Sequence, residues 1–340
     1  MALLDTQTLI GMRQRLPKFE PFFLNRFFPS VFESKEKYVV FDDISEDVKL
    51  APFVSPVIAG RPQVQDGVTS VKLTPPYLKP THDVNPDQAL TRMAGETFEA
   101  PKSPDERHDL IVMNLIGKQE RQITHREEWM AVQAVMTGTI TVSGDAYPTT
   151  LIDFGRAAGN NIDLVGGAEW DAVNIATYDP SADIETWAAA SSVVSDMLVF
   201  SPDAWAVFAT FTAVKDKLDT RRGSKSELEL GPQLSKTVAF KGYFGEYACY
   251  VYKGKYVNDA GSEVNFMPAG TVLVAPSYHD DVRCYGAIQD AKAYREGVSA
   301  SARYVKNWIG DDPGTERVQT QSAPLPVTLD PNAYVAVTVL

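Results

Sequence analysis

Apolar residues crowd the start of the chain without a regular period. Between Pro17 and Pro29, five Phe and three Pro fall within 13 residues. Proline prevents a long helix there, and the rings need burial. This stretch follows a short helix predicted near Thr6–Gln14 and reads as an aromatic cover, laid over the chain's own core or over a neighbouring subunit. Residues 51–102 are as irregular, with prolines at 52, 56, 62, 75, 76, 80, 86 and 101. Between them Gln63-Val64-Gln65 and Thr69–Leu73 alternate like strands around the hairpin signal Asp66-Gly67. A long hairpin with proline-stiffened legs is marginal alone and implies a partner surface.

Regular periodicity begins at Ser103. Ser103-Pro104-Asp105-Glu106 places a capping serine, a first-turn proline and two acids in the order that opens a helix. Apolar positions then recur at Leu110/Ile111, Leu115/Ile116, Ile123, Met130 and Ala134, around a polar middle from Lys118 to Glu128. A helix to Met136 reaches about 50 Å at 1.5 Å per residue, which suits a strut. Thr139–Val142 and Leu151–Phe154 alternate like strands on either side of a turn at Gly144-Asp145, and 155–175 reads as loop. Asp179-Pro180-Ser181 opens a second helix through Trp187, Met197–Phe200 is a short apolar strand, and Ser201-Pro202-Asp203 caps a third helix carrying Trp205, Phe208, Phe211 and Val214. Strands follow from Val238 to Val274 (Tyr247–Tyr252, Tyr256–Val257, Thr271–Val274), then at Ala323–Leu329 and Tyr334–Val339. No internal repeat is visible. The class is α+β, with short elements in mixed order.

Composition changes this picture little. The chain has 340 residues, of which 44% are hydrophobic and 22% charged, enough apolar material for a core. A net charge of −12 argues against sequence-reading nucleic-acid binding and against anionic membrane surfaces. It does not exclude a protein that encloses DNA. Two cysteines, Cys249 and Cys284, form no CxxC motif, the N-terminus does not read as a signal peptide, and no apolar run reaches the ~20 residues of a membrane span. The expected site of synthesis and folding is the cytoplasm.

Chemistry-bearing motifs are missing. There is no Walker loop, GxGxxG, HExxH or GxSxG, so neither a catalytic residue nor a cofactor is expected. His82, His108, His125 and His279 are scattered, and His108 and His125 are expected at the surface. His279-Asp280-Asp281 is the most metal-like cluster, but three adjacent residues cannot converge on one ion unaided, so no metal site is expected. A hydrolase using His279 and Asp280 is the competing reading from another class. Glu127-Glu128 and Asp42-Asp43 are adjacent acids that diverge on a helix or strand and are expected to be solvated. Arg221-Arg222-Gly223-Ser224-Lys225 is the one basic cluster of note, a loop suited to pairing with a neighbour or touching phosphate. Trp187, Trp205, Phe208 and Phe211 are expected in the core.

Several of these segments together resemble the lambda major capsid protein family. They are the Phe-rich arm, Leu50-Ala51-Pro52-Phe53-Val54-Ser55-Pro56, and the run from Thr74-Pro75-Pro76-Tyr77-Leu78-Lys79-Pro80 to Asn85-Pro86, followed by the long helix. Tyr178-Asp179-Pro180, Lys217-Leu218-Asp219-Thr220-Arg221-Arg222-Gly223-Ser224, Arg295-Glu296-Gly297, Ser301-Ala302-Arg303-Tyr304 to Asn307-Trp308, and Gln321-Ser322-Ala323-Pro324-Leu325 continue it. Each motif is weak alone; their collinear order along the whole chain is specific. The resemblance implies the HK97-type capsid fold, with an N-terminal arm at 1–50, an extended β-hairpin loop at 51–102, and a spine helix with the first part of a peripheral domain at 103–159. It further implies an axial domain at 160–280 and a return to the peripheral domain at 281–340. Implied partners are further copies in pentamers and hexamers, a separate scaffolding protein, a portal, a decoration protein, and packaged double-stranded DNA held without sequence specificity, with no membrane. The implied location is the virion capsid, after assembly in the host cytoplasm. Neighbour contacts are expected at Phe22, Phe23, Phe27, Phe28, Pro56, Tyr77, Lys79, Arg221 and Arg222. An encapsulin-like nanocompartment shell is the alternative on the same fold.

Overall fold

The computed structural model describes residues 20–44, 68–91, 102–144, 147–219, 237–258, 260–311 and 314–340. The arm enters as a six-residue helix, α1 (Phe22–Phe27), and continues as strand β1 (Ser30–Glu33). Prolines keep α1 short: Pro21 sits at its N-cap, and Pro29 follows it. Strands β2 (Val39–Ile44) and β3 (Val68–Leu73) pair antiparallel, Val39 opposite Leu73 and Ile44 opposite Val68. Of the predicted hairpin, Thr69–Leu73 falls within β3, and Gln63-Val64-Gln65 lies outside the described residues. The hairpin's Asp66-Gly67 turn and the predicted Thr6–Gln14 helix lie outside the described residues. Strand β4 (Thr81–Val84) and helix α2 (Pro86–Leu90) lead to the spine helix.

That helix, α3 (Pro104–Thr137), is 34 residues long. Ser103 Oγ accepts the Glu106 amide while the Glu106 carboxylate accepts the Ser103 amide, a complete capping box. At the far end Gly138 takes the left-handed conformation that ends a helix, with φ 73°. Hairpin β5–β6 (Thr139–Gly144, Tyr147–Asp153) follows directly.

The middle of the chain builds a seven-stranded mixed sheet. Its members are β7 (Asn161–Asp163), β8 (Met197–Phe200), β9 (Leu218–Asp219), β10 (Val238–Phe244), β11 (Tyr247–Tyr252), β14 (Thr271–Ala275) and β19 (Val335–Thr338), in the spatial order β7-β19-β14-β8-β11-β10-β9. Met197, Val199, Leu273 and Ala275 point to one core, shared with α3 and α1. Leu198, Phe200, Val272 and Val274 point to the other, under helices α4 (Ser181–Ala190), α5 (Pro202–Phe208) and α6 (Thr212–Lys217). Both faces are covered, so the strands read as unbroken apolar runs with the period-2 split hidden. The third predicted helix divides into α5 and α6. Phe208 and Phe211 are buried in that second core with Trp187, while Trp205 is half-buried.

The remaining strands form smaller sheets. Strands β12 (Lys255–Val257) and β13 (Glu263–Asn265) are a hairpin. Strand β1 pairs parallel with β15 (Val282–Tyr285), which pairs antiparallel with β18 (Pro324–Val327). Helix α7 (Ala291–Glu296) precedes β16 (Tyr304–Ile309), and β17 (Glu316–Gln321) joins β16 to β4. This last sheet lies on the N-terminal half of α3 through Val84, Val112, Ile116, Val305 and Val318. After residue 281, β15 to β18 join β1, β4 and α3, whereas β19 inserts between β7 and β14.

Candidate subunit-contact site

Helix α3 carries the charges that tie the arm to the body. Glu128, fully buried, accepts the backbone N–H groups of Phe22 and Phe23 at 3.0 Å, that of Leu24 at 2.9 Å and the Tyr252 hydroxyl at 2.7 Å. The first amides of a helix have no partner within it, so one carboxylate satisfies the start of α1. Burial pushes the Glu128 carboxyl upward in pKa, and the four donors pull against it. The other end of α1 is held by the opposite charge. Arg283 donates to the carbonyls of Phe28 (2.5 Å) and Leu24 (2.8 Å) and to Asn25 Oδ1 (2.9 Å).

Glu127, one residue away, points elsewhere. It takes Arg303 Nη2 at 2.6 Å, both partners almost without exposure, and Arg303 also reaches Ser322 Oγ at 2.8 Å and the Ala302 carbonyl at 3.0 Å. The expectation that Glu127 and Glu128 are solvated is therefore corrected. They diverge as adjacent helical residues must, but each finds a buried cationic or amide partner. His108 is corrected likewise. It is buried, with Nε2 2.6 Å from Glu316 Oε2, and His125 is half-buried edge-on to Phe266. At the end of α3, Arg156 donates to the carbonyls of Ala134, Val135 and Met136 and to that of Pro331. Burial lowers its pKa to about 10. His279 Nδ1 lies 3.0 Å from Asp281 Oδ1, and Asp281 is engaged by the Tyr334 hydroxyl (2.6 Å) and the Leu329 amide (2.8 Å).

The residues expected at neighbour contacts are dispersed. Phe23, Phe27 and Phe28 are fully buried in the chain's own core, where Phe23 meets Tyr252 and Phe27 meets Tyr334 edge-on. Their rings anchor the arm to its own subunit. Phe22 is half-buried, stacked on Tyr252. Tyr77 donates to Gln321 Oε1 at 2.6 Å and accepts the Gln289 amide at 3.0 Å, so its hydroxyl also serves its own chain. Lys79 is exposed, 4.8 Å from the Tyr77 ring centre, on the rim of an open cleft of about 680 Å³ between α3 and the β12–β13 hairpin. Pro56, Arg221 and Arg222 lie outside the described residues. Val31 and Phe32, which the sequence reading did not single out, are 58% and 51% exposed on β1, the edge of its sheet among the described residues. A β-branched and aromatic pair just after Pro29 was the available signal.

A family model described as "Phage major capsid protein E" matches residues 5–339. The chain is 40% identical over 339 residues to the major capsid protein of Escherichia phage lambda, covering 99% of both chains. It is 39% identical over 340 residues to that of Enterobacteria phage phi80, again covering 99% of both. The crystal structure of a prophage capsid protein from Escherichia coli CFT073 superposes with a TM-score of 0.81 at 29% identity, covering all of both chains. The capsid of an empty GTA particle shares the fold alone, with a TM-score of 0.50 at 10% identity over 95% of this chain and 98% of that one. The architecture is the HK97-type capsid fold, and the chain belongs to the phage major capsid protein E family.

Proposed function

We propose that this chain is the shell subunit of a lambda-like phage or prophage head, and that its copies form pentamers and hexamers of a closed shell around double-stranded DNA. The observation that carries this reading is full-length identity with phage major capsid proteins, 40% over 99% of the lambda chain. On this reading residues 1–50 are the arm, 51–102 the extended loop, 103–159 the spine and first peripheral part, 160–280 the axial domain and 281–340 the peripheral return. The buried clamps on α1 support an arm held on its own subunit up to residue 28, while the exposed side of β1 is offered to a neighbour. Tyr77, Lys79, Pro56, Arg221 and Arg222 belong to the proposed contacts, with Val31 and Phe32 added. Many weak repeated contacts give such a shell its stability. A separate scaffolding protein, a portal and a decoration protein complete the proposed partners.

The test is coexpression with the neighbouring head genes, followed by negative-stain microscopy. Closed shells of uniform size are expected. Deletion of residues 1–50 is expected to abolish them. Monomers or small rings from the intact chain, with those partners expressed and soluble, overturn the proposal.

A further inference from the structure

The polar middle of α3 is sorted by charge. Its three acids turn toward the body: Glu128 to the arm, Glu127 to Arg303, and Glu120 to Arg303 as well, 3.5 Å from Nε. Its cations Lys118, Arg121 and Arg126 are all exposed, on a face about 140° wide and about 12 Å long by helical geometry. No carboxylate stands at i±3 or i±4 from any of them: those positions hold Asn114, Leu115, Gly117, Lys118, Arg121, Gln122, Ile123, Thr124, His125, Trp129 and Met130. Among the described residues none of the three is ion-paired, and Arg126 lies 5.4 Å from the centre of the Trp129 ring. A stripe of three cations without a direct ion pair among the described residues is unexpected on a chain of net charge −12 with 44 acids against 32 bases; the nearest carboxylates on other elements are Asp83, beside His82, and Glu263, across the cleft that Arg126 lines.

The composition of the stripe indicates its partner. Asn114, Lys118, Arg121 and Gln122 offer donors, and the ring beside Arg126, Trp129, is itself partly buried against the chain's own core. Protein interfaces draw their energy from buried apolar and aromatic anchors, whereas phosphate contacts use Lys, Arg, Asn and Gln without one. Three cations over about 12 Å also match the scale of successive phosphates along a duplex. We propose that the exposed face of α3 is a sequence-independent phosphate-contact surface for double-stranded DNA, and that this face lines the interior of the shell. The inference rests on the shell reading and assigns which side of the subunit looks inward.

The test is fluorescence anisotropy of a labelled random-sequence 20-base-pair duplex titrated with the full chain between about 20 and 200 mM salt. With three phosphate contacts, log affinity falls with log salt at a slope near −2.7, so that affinity drops roughly 20-fold from 50 to 150 mM. K118Q/R121Q/R126Q keeps helix propensity and is expected to flatten the slope to about −1 or less. K292Q/R295Q, on exposed α7, is expected to leave the slope unchanged. Three outcomes overturn the inference: no duplex binding at 20 mM salt, an unchanged slope in the triple variant, or displacement of duplex by poly-glutamate at equal charge as effective as displacement by unlabelled duplex. Coexpressed with the head genes, the triple variant is expected to form closed shells. If it fails where the wild type succeeds, the stripe is a subunit contact and the inference falls. Failure of the wild type itself refutes the shell reading, while the salt slopes still decide whether the stripe takes phosphate.

Discussion

Replacing Glu128 with Gln tests whether one buried charge holds the arm. Oε1 accepts Phe22 N, Phe23 N and the Tyr252 hydroxyl, and Oε2 accepts Leu24 N alone. The amide of E128Q therefore places its oxygen at the first site and its NH2 opposite the Leu24 amide, leaving two buried donors facing each other. Each unsatisfied buried donor costs about 1–3 kcal/mol, and the other three bonds lose their charge assistance. The expected destabilisation of the docked arm is about 2–4 kcal/mol, which is roughly 30- to 700-fold in opening. Hydrogen exchange of a peptide spanning residues 20–30 reads this directly, because the Phe28 amide is bonded to Leu24 O at 3.2 Å within the same helix. Exchange of that peptide in E128Q within threefold of the wild type would refute the clamp.

Three further perturbations follow from the same helix and its neighbours. R303A leaves Glu127 buried without its cation and is expected to cost about 3–5 kcal/mol in chemical denaturation, much of it recovered in E127Q/R303M. G138A meets both a φ of 73° and a Cβ placed 2.6 Å from Arg156 Cβ; a loss above the ~1–2 kcal/mol of left-handed strain, reduced in an R156A background, is the expected cycle. Burial resists ionisation of Asp290, but Lys306 at 2.5 Å, Gln321 and the Lys292 amide bring its pKa down to about 2. A carboxyl depressed in the fold stabilises above its unfolded value near 4 and loses that contribution as pH falls toward 2. D290N is expected to remove this segment of the stability–pH curve, as read from denaturation midpoints.

The strut was the most legible part of the chain, because its start is written in local chemistry. Ser103, Pro104 and Glu106 announce the cap, and the structure adds only the final residue, Thr137, to the predicted end. Strands Met197–Phe200 and Tyr247–Tyr252 were read at their observed ends, since short apolar runs between turn signals leave few alternatives. Strands β16 and β17 were not read, because Lys306 and Asn307 or Arg317, Gln319 and Gln321 mix polar residues into positions that face other polar elements. The helix between Pro21 and Pro29 was hidden for a different reason. Six residues cannot nucleate a helix unaided, and α1 exists because Glu128, over a hundred positions away, supplies its cap. Glu127 and Glu128 looked solvated for the same cause: burial of a charge depends on a partner that sequence spacing does not reveal.

These long-range partners explain why an acidic chain invests so many charges in one helix. The N-terminal half of α3 meets the β4–β17–β16 sheet, and its C-terminal half meets the arm and the seven-stranded sheet, so a single rigid rod fixes two separately built layers. A purely apolar stripe would hold them with little directional preference, since hydrophobic contact is non-directional. The Glu127–Arg303, Glu128–α1 and Arg156–helix-end contacts are directional, and each joins α3 to a different element. Losing any one is expected to release its own element while the others stay docked. That makes local exchange, more than a global melting curve, the measurement that separates their roles.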